Sequence, residues 1–174
     1  MEPVAQRRAL LTADDYAKLP EDLRAELIDG ELVMSPGPDR AHQTLVLRLV
    51  RVLDRHLGPS SDRRLLFAPF DVHLDKHNVL QPDVLVLPEG TDASEPRPLP
   101  TLVIEVISPS TATRDRGVKL ERYRARGVRE AWIVDRYQKS SSTGFGVGSG
   151  LPRTRRSSLR TSNESSLSPA SAIA

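Results

Sequence analysis

The chain has 174 residues, 38% of them hydrophobic and 28% charged, enough for one ordinary globular domain with a core of its own. Cysteine is absent, which excludes disulfides, thiolate metal sites and a cysteine nucleophile and leaves any metal to oxygen or imidazole ligands. The formal net charge of +2 belongs to the end of the sequence, where residues 138–174 hold five Lys or Arg against one acid, so that residues 1–137 are slightly acidic.

Residues 1–10 are read as a flexible N-terminus and residues 11–137 as a single domain. In TADDYAKL, Thr12 has the character of an N-cap, and the short helix it starts should stop near Pro20. AELIDGELVM places Asp29-Gly30 between two apolar runs, a strong short-range signal for a type I′ hairpin. A long helix is predicted from Asp39, with Leu45, Leu49, Val52, Leu53 and Leu57 at helical spacing until Gly58 ends it. LLFAPFDVHL and VLQPDVLVLP flank the polar turn DKHN, and TLVIEVIS follows a Pro-rich loop. Together they suggest a three-stranded antiparallel meander. Thr111 or Thr113 can then cap a helix from about Arg114 to Arg126, with Gly127 as its C′ residue. REAWIVD returns as a strand parallel to that of residues 101–107.

Beyond that strand the composition turns to Ser, Gly and Arg with no period of 2 or 3.6, so residues 138–174 are expected to be a low-complexity, disordered tail. It reads either as a truncated or frame-shifted end or as a natural flexible one. If it replaces terminal strands, the edge of the 130–135 strand is left open to aggregation or to homodimer formation. No apolar run approaches the ~20 residues needed to cross a bilayer, and the start, MEPVAQRRALLTADD, lacks the apolar stretch of a secretory signal. A cytoplasmic protein without a membrane partner is the resulting expectation.

The chemistry is concentrated around Glu105, a lone acid inside the apolar run LVIEVI. An ionised, unpaired carboxylate in a dry core costs several kcal/mol, so something must compensate it. Strand alternation puts Glu105 on the face of Val103 and Ile107, and Asp83 on the face of Leu85 and Leu87. If neighbouring strands bring the two acids together, a divalent cation is the simplest compensation, and such hard oxygen ligands favour magnesium or manganese over zinc. Lys119 lies on the following helix with Tyr123 one turn further along the same face. A lysine beside a metal-bound phosphodiester would stabilise transition-state charge. Residues 114–129 also hold seven Arg or Lys against two acids, suited to neighbouring phosphates.

Each of these residues has a plainer reading. Glu105 could be an edge acid paired with Arg114 or Arg129, Asp83 part of a Pro-Asp turn, and Lys119 a solvated helix residue. His42, in the first turn of the long helix, either faces the site or serves packing or capping. Tyr123 either packs or partners the lysine. His73 and His77 flank a turn and do not make a zinc pair, and Trp132 is read as core.

The string Pro82-Asp83, a 22-residue interval, then EVISPST-x-x-R-D-R-G-x-K from Glu105 to Lys119, resembles the Uma2 family of the PD-(D/E)XK nuclease superfamily. The likeness runs from about Leu11 to Asp135. It implies a restriction-endonuclease-like α/β fold, a mixed β-sheet flanked by helices. The superfamily lysine usually follows the acid by two residues on the same strand, where this chain has Ile107, so the likeness assigns its role to Lys119. It also implies a further acid at the start of the hairpin, Glu26. By that likeness Asp83 and Glu105 are metal ligands with the Val106 carbonyl as a third contact, and Glu26 is an outer ligand or water-positioning base. The implied activity is a Mg2+- or Mn2+-dependent endodeoxyribonuclease acting on DNA. A catalytically silent nucleic-acid-binding or interaction module and a phosphatase of small substrates are the rivals from other classes.

Overall fold

The computed structural model describes residues 9–35, 37–59, 64–92, 94–107, 115–135 and 142–146. Helix α1 (Ala13–Tyr16) starts with a capping box: Thr12 Oγ1 accepts from the Asp15 N–H, and the Asp15 carboxylate accepts from the Thr12 N–H. Strands β1 (Ala25–Ile28) and β2 (Glu31–Met34) form the expected hairpin. Asp29 (φ 51°) and Gly30 (φ 78°) are both left-handed, as a type I′ turn demands. A Cβ on Gly30 would also lie 2.6 Å from Leu10 Cβ, so the preceding segment closes over this turn only because glycine has no side chain.

Helix α2 (Arg40–Leu57) runs between the predicted limits, with Asp39 as N-cap and Gly58 as C-cap. Its inward face differs by one position from the expected stripe: Val46 and Leu53 are buried, whereas Val52 is 57% exposed.

The expected meander is corrected. LLFAPFDVHL divides into β3 (Leu65–Phe67) and β4 (Val72–Asp75), and VLQPDVLVLP into β5 (Asn78–Leu80) and β6 (Val84–Val86). The breaks fall at Pro69 and Pro82, where the missing N–H interrupts any ladder. Each half then joins a different sheet. A four-stranded sheet has the order β2-β1-β5-β4. A five-stranded sheet has the order β3-β6-β7-β8-β9, with β7 (Leu102–Ile107), β8 (Glu130–Asp135) and β9 (Ser142–Gly146).

Strands β7 and β8 are parallel, as expected, and are joined through a π-helical turn (Asp115–Lys119) that continues into α3 (Leu120–Arg126). Gly127 (φ 96°) is the left-handed residue that ends this helix. The proposed caps Thr111 and Thr113 lie outside the described residues.

Every residue of β7 is buried because both faces of the larger sheet are covered. On one face Val84, Val86, Ile104, Val106 and Val134 pack against Val46 and Leu53 of α2. On the other, Leu85, Val103 and Ala131 meet Tyr123 of α3 and Ile28, Val72, Leu74 and Leu80 of the smaller sheet. Trp132, read as core, is half-buried against the α2 side, and its indole N–H donates to Glu130 Oε1 at 2.9 Å.

The expectation of an open edge beside β8 is also corrected. The backbone of β9 pairs antiparallel with β8 from Glu130↔Gly146 to Val134↔Ser142. STGFG carries little strand signal, but a ladder is made by main-chain groups and an edge strand needs no apolar pattern to form one. The rest of the tail lies outside the described residues.

Among the described residues no helix is long and apolar enough to cross a membrane.

Candidate active site

Glu105 sits where β7 runs past the end of β6. The β6–β7 register pairs Val84 with Ile104 and Leu85 with Val103, so one further step sets Asp83 across from Glu105. Strand β6 ends at that step, and the Val106 N–H, left without a ladder partner on that side, donates to Asp83 Oδ2 at 2.7 Å. The Asp83 carboxylate therefore lies along the sheet's own plane at the end of its strand. Its Oδ1 is 3.0 Å from His42 Nε2 in the first turn of α2. In an extended strand the N–H and C=O of one residue leave by the same edge, so the Val106 carbonyl also points toward Asp83.

The compensation for Glu105 is Lys119. Its Nζ lies 3.3 Å from Glu105 Oε2 and 2.8 Å from Glu26 Oε2, and all three side chains are buried. Glu105 is thus an interior acid with a lysine against it, and Arg114, one of the two arginines considered as its partner, lies outside the described residues. Helical spacing brings Tyr123 up beside Lys119, and its hydroxyl donates to Glu105 Oε1 at 2.7 Å. Burial first, and then the charges of Glu105, Glu26 and Asp83, push the Tyr123 phenol well above its ordinary range. A phenol that stays neutral is a dependable donor to a carboxylate.

Glu26 enters from the other sheet. It stands opposite Val33 in the β1–β2 hairpin, and its Oε1 accepts the Gln81 N–H at 2.7 Å. Gln81 is the residue between β5 and the Pro82-Asp83 pair, and its side chain is anchored in turn. Its Nε2 donates to Asp71 Oδ1 at 2.8 Å and approaches the Tyr16 hydroxyl at 3.3 Å, and that hydroxyl also reaches the Ala25 carbonyl at 2.9 Å. The sequence reading missed this Tyr16–Asp71–Gln81 support. The available signal was Gln81 itself, a polar side chain inside the apolar run VLQPDVLVL, which must find partners if buried.

That support should make the stability of the protein fall in alkali. Burial, followed by the neighbouring Asp71 carboxylate, pushes the Tyr16 phenol up to about 12. A raised pKa means the neutral phenol is favoured in the fold. Its contribution is complete below the unfolded value of about 10 and is lost as the pH climbs toward the folded value. Urea midpoints should therefore fall across that interval, and Tyr16→Phe should flatten part of the decline, Tyr123 supplying the rest. An equally steep decline in the variant would refute the assignment.

Arg122 of α3 is committed elsewhere: its Nη2 donates to Asp29 Oδ2 at 2.8 Å and its Nε lies 2.7 Å from Asp29 Oδ1, fastening the helix to the hairpin tip. It is therefore spent on structure and not held ready for a phosphate. His77 Nδ1 lies 2.8 Å from the Leu11 carbonyl, which ties the β4–β5 turn to the N-terminal segment.

The site thus gathers Glu26, Glu105 and Lys119 in one buried cluster, with Asp83 and His42 beside it. A model of the Uma2 family, described as "Putative restriction endonuclease", matches residues 13–169. The chain belongs to the Uma2 family.

A relative described as "Uncharacterized protein sll1609", of Synechocystis sp., is 30% identical over 138 residues, covering 74% of this chain and 76% of its own. The fold is also similar to the crystal structure of a "putative nuclease belonging to DUF820" from Anabaena variabilis, with a TM-score of 0.65 at 18% identity over 92% of this chain and 89% of that one. The mixed α/β, nuclease-like architecture expected for a Uma2 protein is the one found. The family match reaches beyond Asp135, where the motif resemblance stops, and so includes the region that supplies β9.

For a divalent cation the donors of this Uma2 site are of the right kind. Asp83 and Glu105 offer hard carboxylate oxygens, and the Val106 carbonyl leaves on the same edge. Among the described residues Glu26, Glu105 and Asp83 stand against Lys119, a balance that favours a cation. Among the described residues no three His, Asp or Glu side chains are grouped to hold an ion by themselves.

Proposed function

We propose that this Uma2 protein is a divalent-metal-dependent endonuclease that hydrolyses DNA phosphodiester bonds. The observation that carries the reading is the Lys119 ammonium buried between Glu26 and Glu105, with Asp83 across from Glu105 in the strand register. Apolar residues of similar volume would fill that space at equal or better stability, so the charges are best explained by chemistry.

In this reading Asp83, Glu105 and the Val106 carbonyl hold Mg2+ or Mn2+. When bound, such an ion polarises the phosphodiester and lowers the pKa of coordinated water. Lys119 stabilises the negative charge that grows on the phosphoryl oxygens, and its two carboxylate partners fix where the ammonium stands. Glu26, held by the Gln81 N–H, orients the attacking water. Tyr123 holds Glu105 from the side opposite the lysine contact.

Nicking of supercoiled plasmid in Mg2+ tests this directly. Wild type should nick, and Asp83→Ala and Lys119→Ala should each lose at least about 100-fold of the rate, the scale of removing one preorganised electrostatic group. Equal nicking by all three proteins would overturn the reading. Retention of DNA without cleavage would favour the silent binding module, and turnover of a nucleotide monoester alone would favour a phosphatase.

A further inference from the structure

We propose that His42 is a positioning residue, one that fixes the Asp83 carboxylate in the orientation from which it can bind a divalent cation. The proposal rests on the nuclease reading of the site and adds to it a group that neither the Pro-Asp motif nor the EVISPST string contains.

The geometry begins with the helix cap. Asp39 Oδ1 accepts the His42 N–H at 2.8 Å, which fixes the first turn of α2 and with it the place of the imidazole. The ring reaches from this helix to the end of β6, where its Nε2 is 3.0 Å from Asp83 Oδ1, and both side chains are largely withdrawn from solvent. An ionised carboxylate only accepts, so it is the imidazole that donates, through its Nε2–H.

Asp83 is thereby gripped from two sides, by the His42 ring at Oδ1 and by the Val106 N–H at Oδ2. Two donors at opposite oxygens leave one orientation of the carboxylate. Each oxygen has two lone pairs, so a hydrogen bond to each still leaves a lone pair for an ion. Without His42 the group keeps one donor and can rotate about the bond that carries it. Metal-binding carboxylates depend on such supporting hydrogen bonds, and losing one typically costs 10–100-fold in metal affinity.

Mn2+ binding to the full chain, followed by calorimetry without DNA, tests the proposal on His42→Ala, His42→Gln and His42→Asn. The Ala variant should bind Mn2+ about 10–100-fold more weakly than wild type. Gln, whose amide nitrogen stands where Nε2 does, should recover most of the loss. Asn, one carbon shorter, should resemble Ala. Thermal unfolding without metal establishes that each variant is folded, and if Ala is not, the contrast between Gln and Asn still decides. Unchanged affinity in Ala, or in Asn where Ala fails to fold, overturns the proposal, and so does a Gln variant as weak as Ala or Asn, which would make the imidazole itself the ligand. If wild type binds no Mn2+, this proposal and the nuclease reading fall together. If wild type binds and the His42 variants are unaffected, only this proposal falls. If wild type binds Mn2+ and His42→Ala weakens it but no DNA is nicked, the nuclease reading falls and the role of His42 stands.

Discussion

Lys119→Met is expected to unfold at a markedly lower urea concentration than wild type, a loss of about 3–5 kcal/mol, and to show no nicking. Methionine fills nearly the same volume, so the cost is electrostatic. Glu26 and Glu105 are 3% and 4% exposed, and the lysine is the cation that the structure places against both. Without it two carboxylates share a low-dielectric interior, where among the described residues the Gln81 N–H donates to Glu26 and the Tyr123 hydroxyl to Glu105. A variant as stable as wild type would mean that the carboxylates had found another counter-charge, and the account of the buried cluster would be wrong. Stability and nicking should be read on the same preparation, because the wild-type-like stability of a nicking-deficient variant would separate the structural role of the ammonium from its role in the reaction.

Glu105→Gln should do the reverse, sparing the fold and removing the chemistry. Glutamine keeps the shape, can still accept from the Tyr123 hydroxyl, and leaves Lys119 paired with Glu26. The remaining pair is neutral overall, so the stability change should stay within about 1 kcal/mol, the scale of one altered hydrogen bond. The charged oxygen that would meet the cation is gone, and Mn2+ affinity and plasmid nicking should both drop below detection. If Glu105 served only to pair with Lys119, the amide would leave Mn2+ binding and nicking intact. Calorimetry with Mn2+ beside a urea titration decides between the two. Together with the lysine variant, this one assigns stability to the ammonium and ion binding to the carboxylate.

Several parts of this arrangement are local enough to read from neighbours in sequence. The Asp29-Gly30 turn needs two left-handed residues, and few residue types supply them cheaply, so two letters define the hairpin. Asp39 and Gly58 bound α2 because a side-chain acceptor is wanted at one end of a helix and a change of backbone direction at the other. Strand alternation groups Glu105 with Val103 and Ile107 and Asp83 with Leu85 and Leu87, although only the β6–β7 register sets the two acids opposite each other.

Other parts depend on which elements become neighbours. The pairing of Glu26 with Lys119 joins the first hairpin to the π-helical turn before α3, and that of His42 with Asp83 joins α2 to the residue next to β6. Neither pair has any mark in the local pattern. The division of each long apolar run into two sheets was signalled by Pro69 and Pro82, but a proline marks only a break and not the partner each half then takes. Strand β9 had still less to show, since its pairing is made by the main chain.

The amino-acid order by itself determined the turns, the helix limits, the alternation within each strand, and the family to which the chain belongs. Each of these rests on backbone preferences or motif spacing within a short stretch. Only the tertiary structure decided that the smaller sheet folds over the larger and brings Glu26 onto the ammonium, and that α2 lays His42 against Asp83. The reason is that burial of apolar faces, which has no direction of its own, chooses the packing partners. The polar side chains are then fixed by whatever donors and acceptors that packing sets beside them.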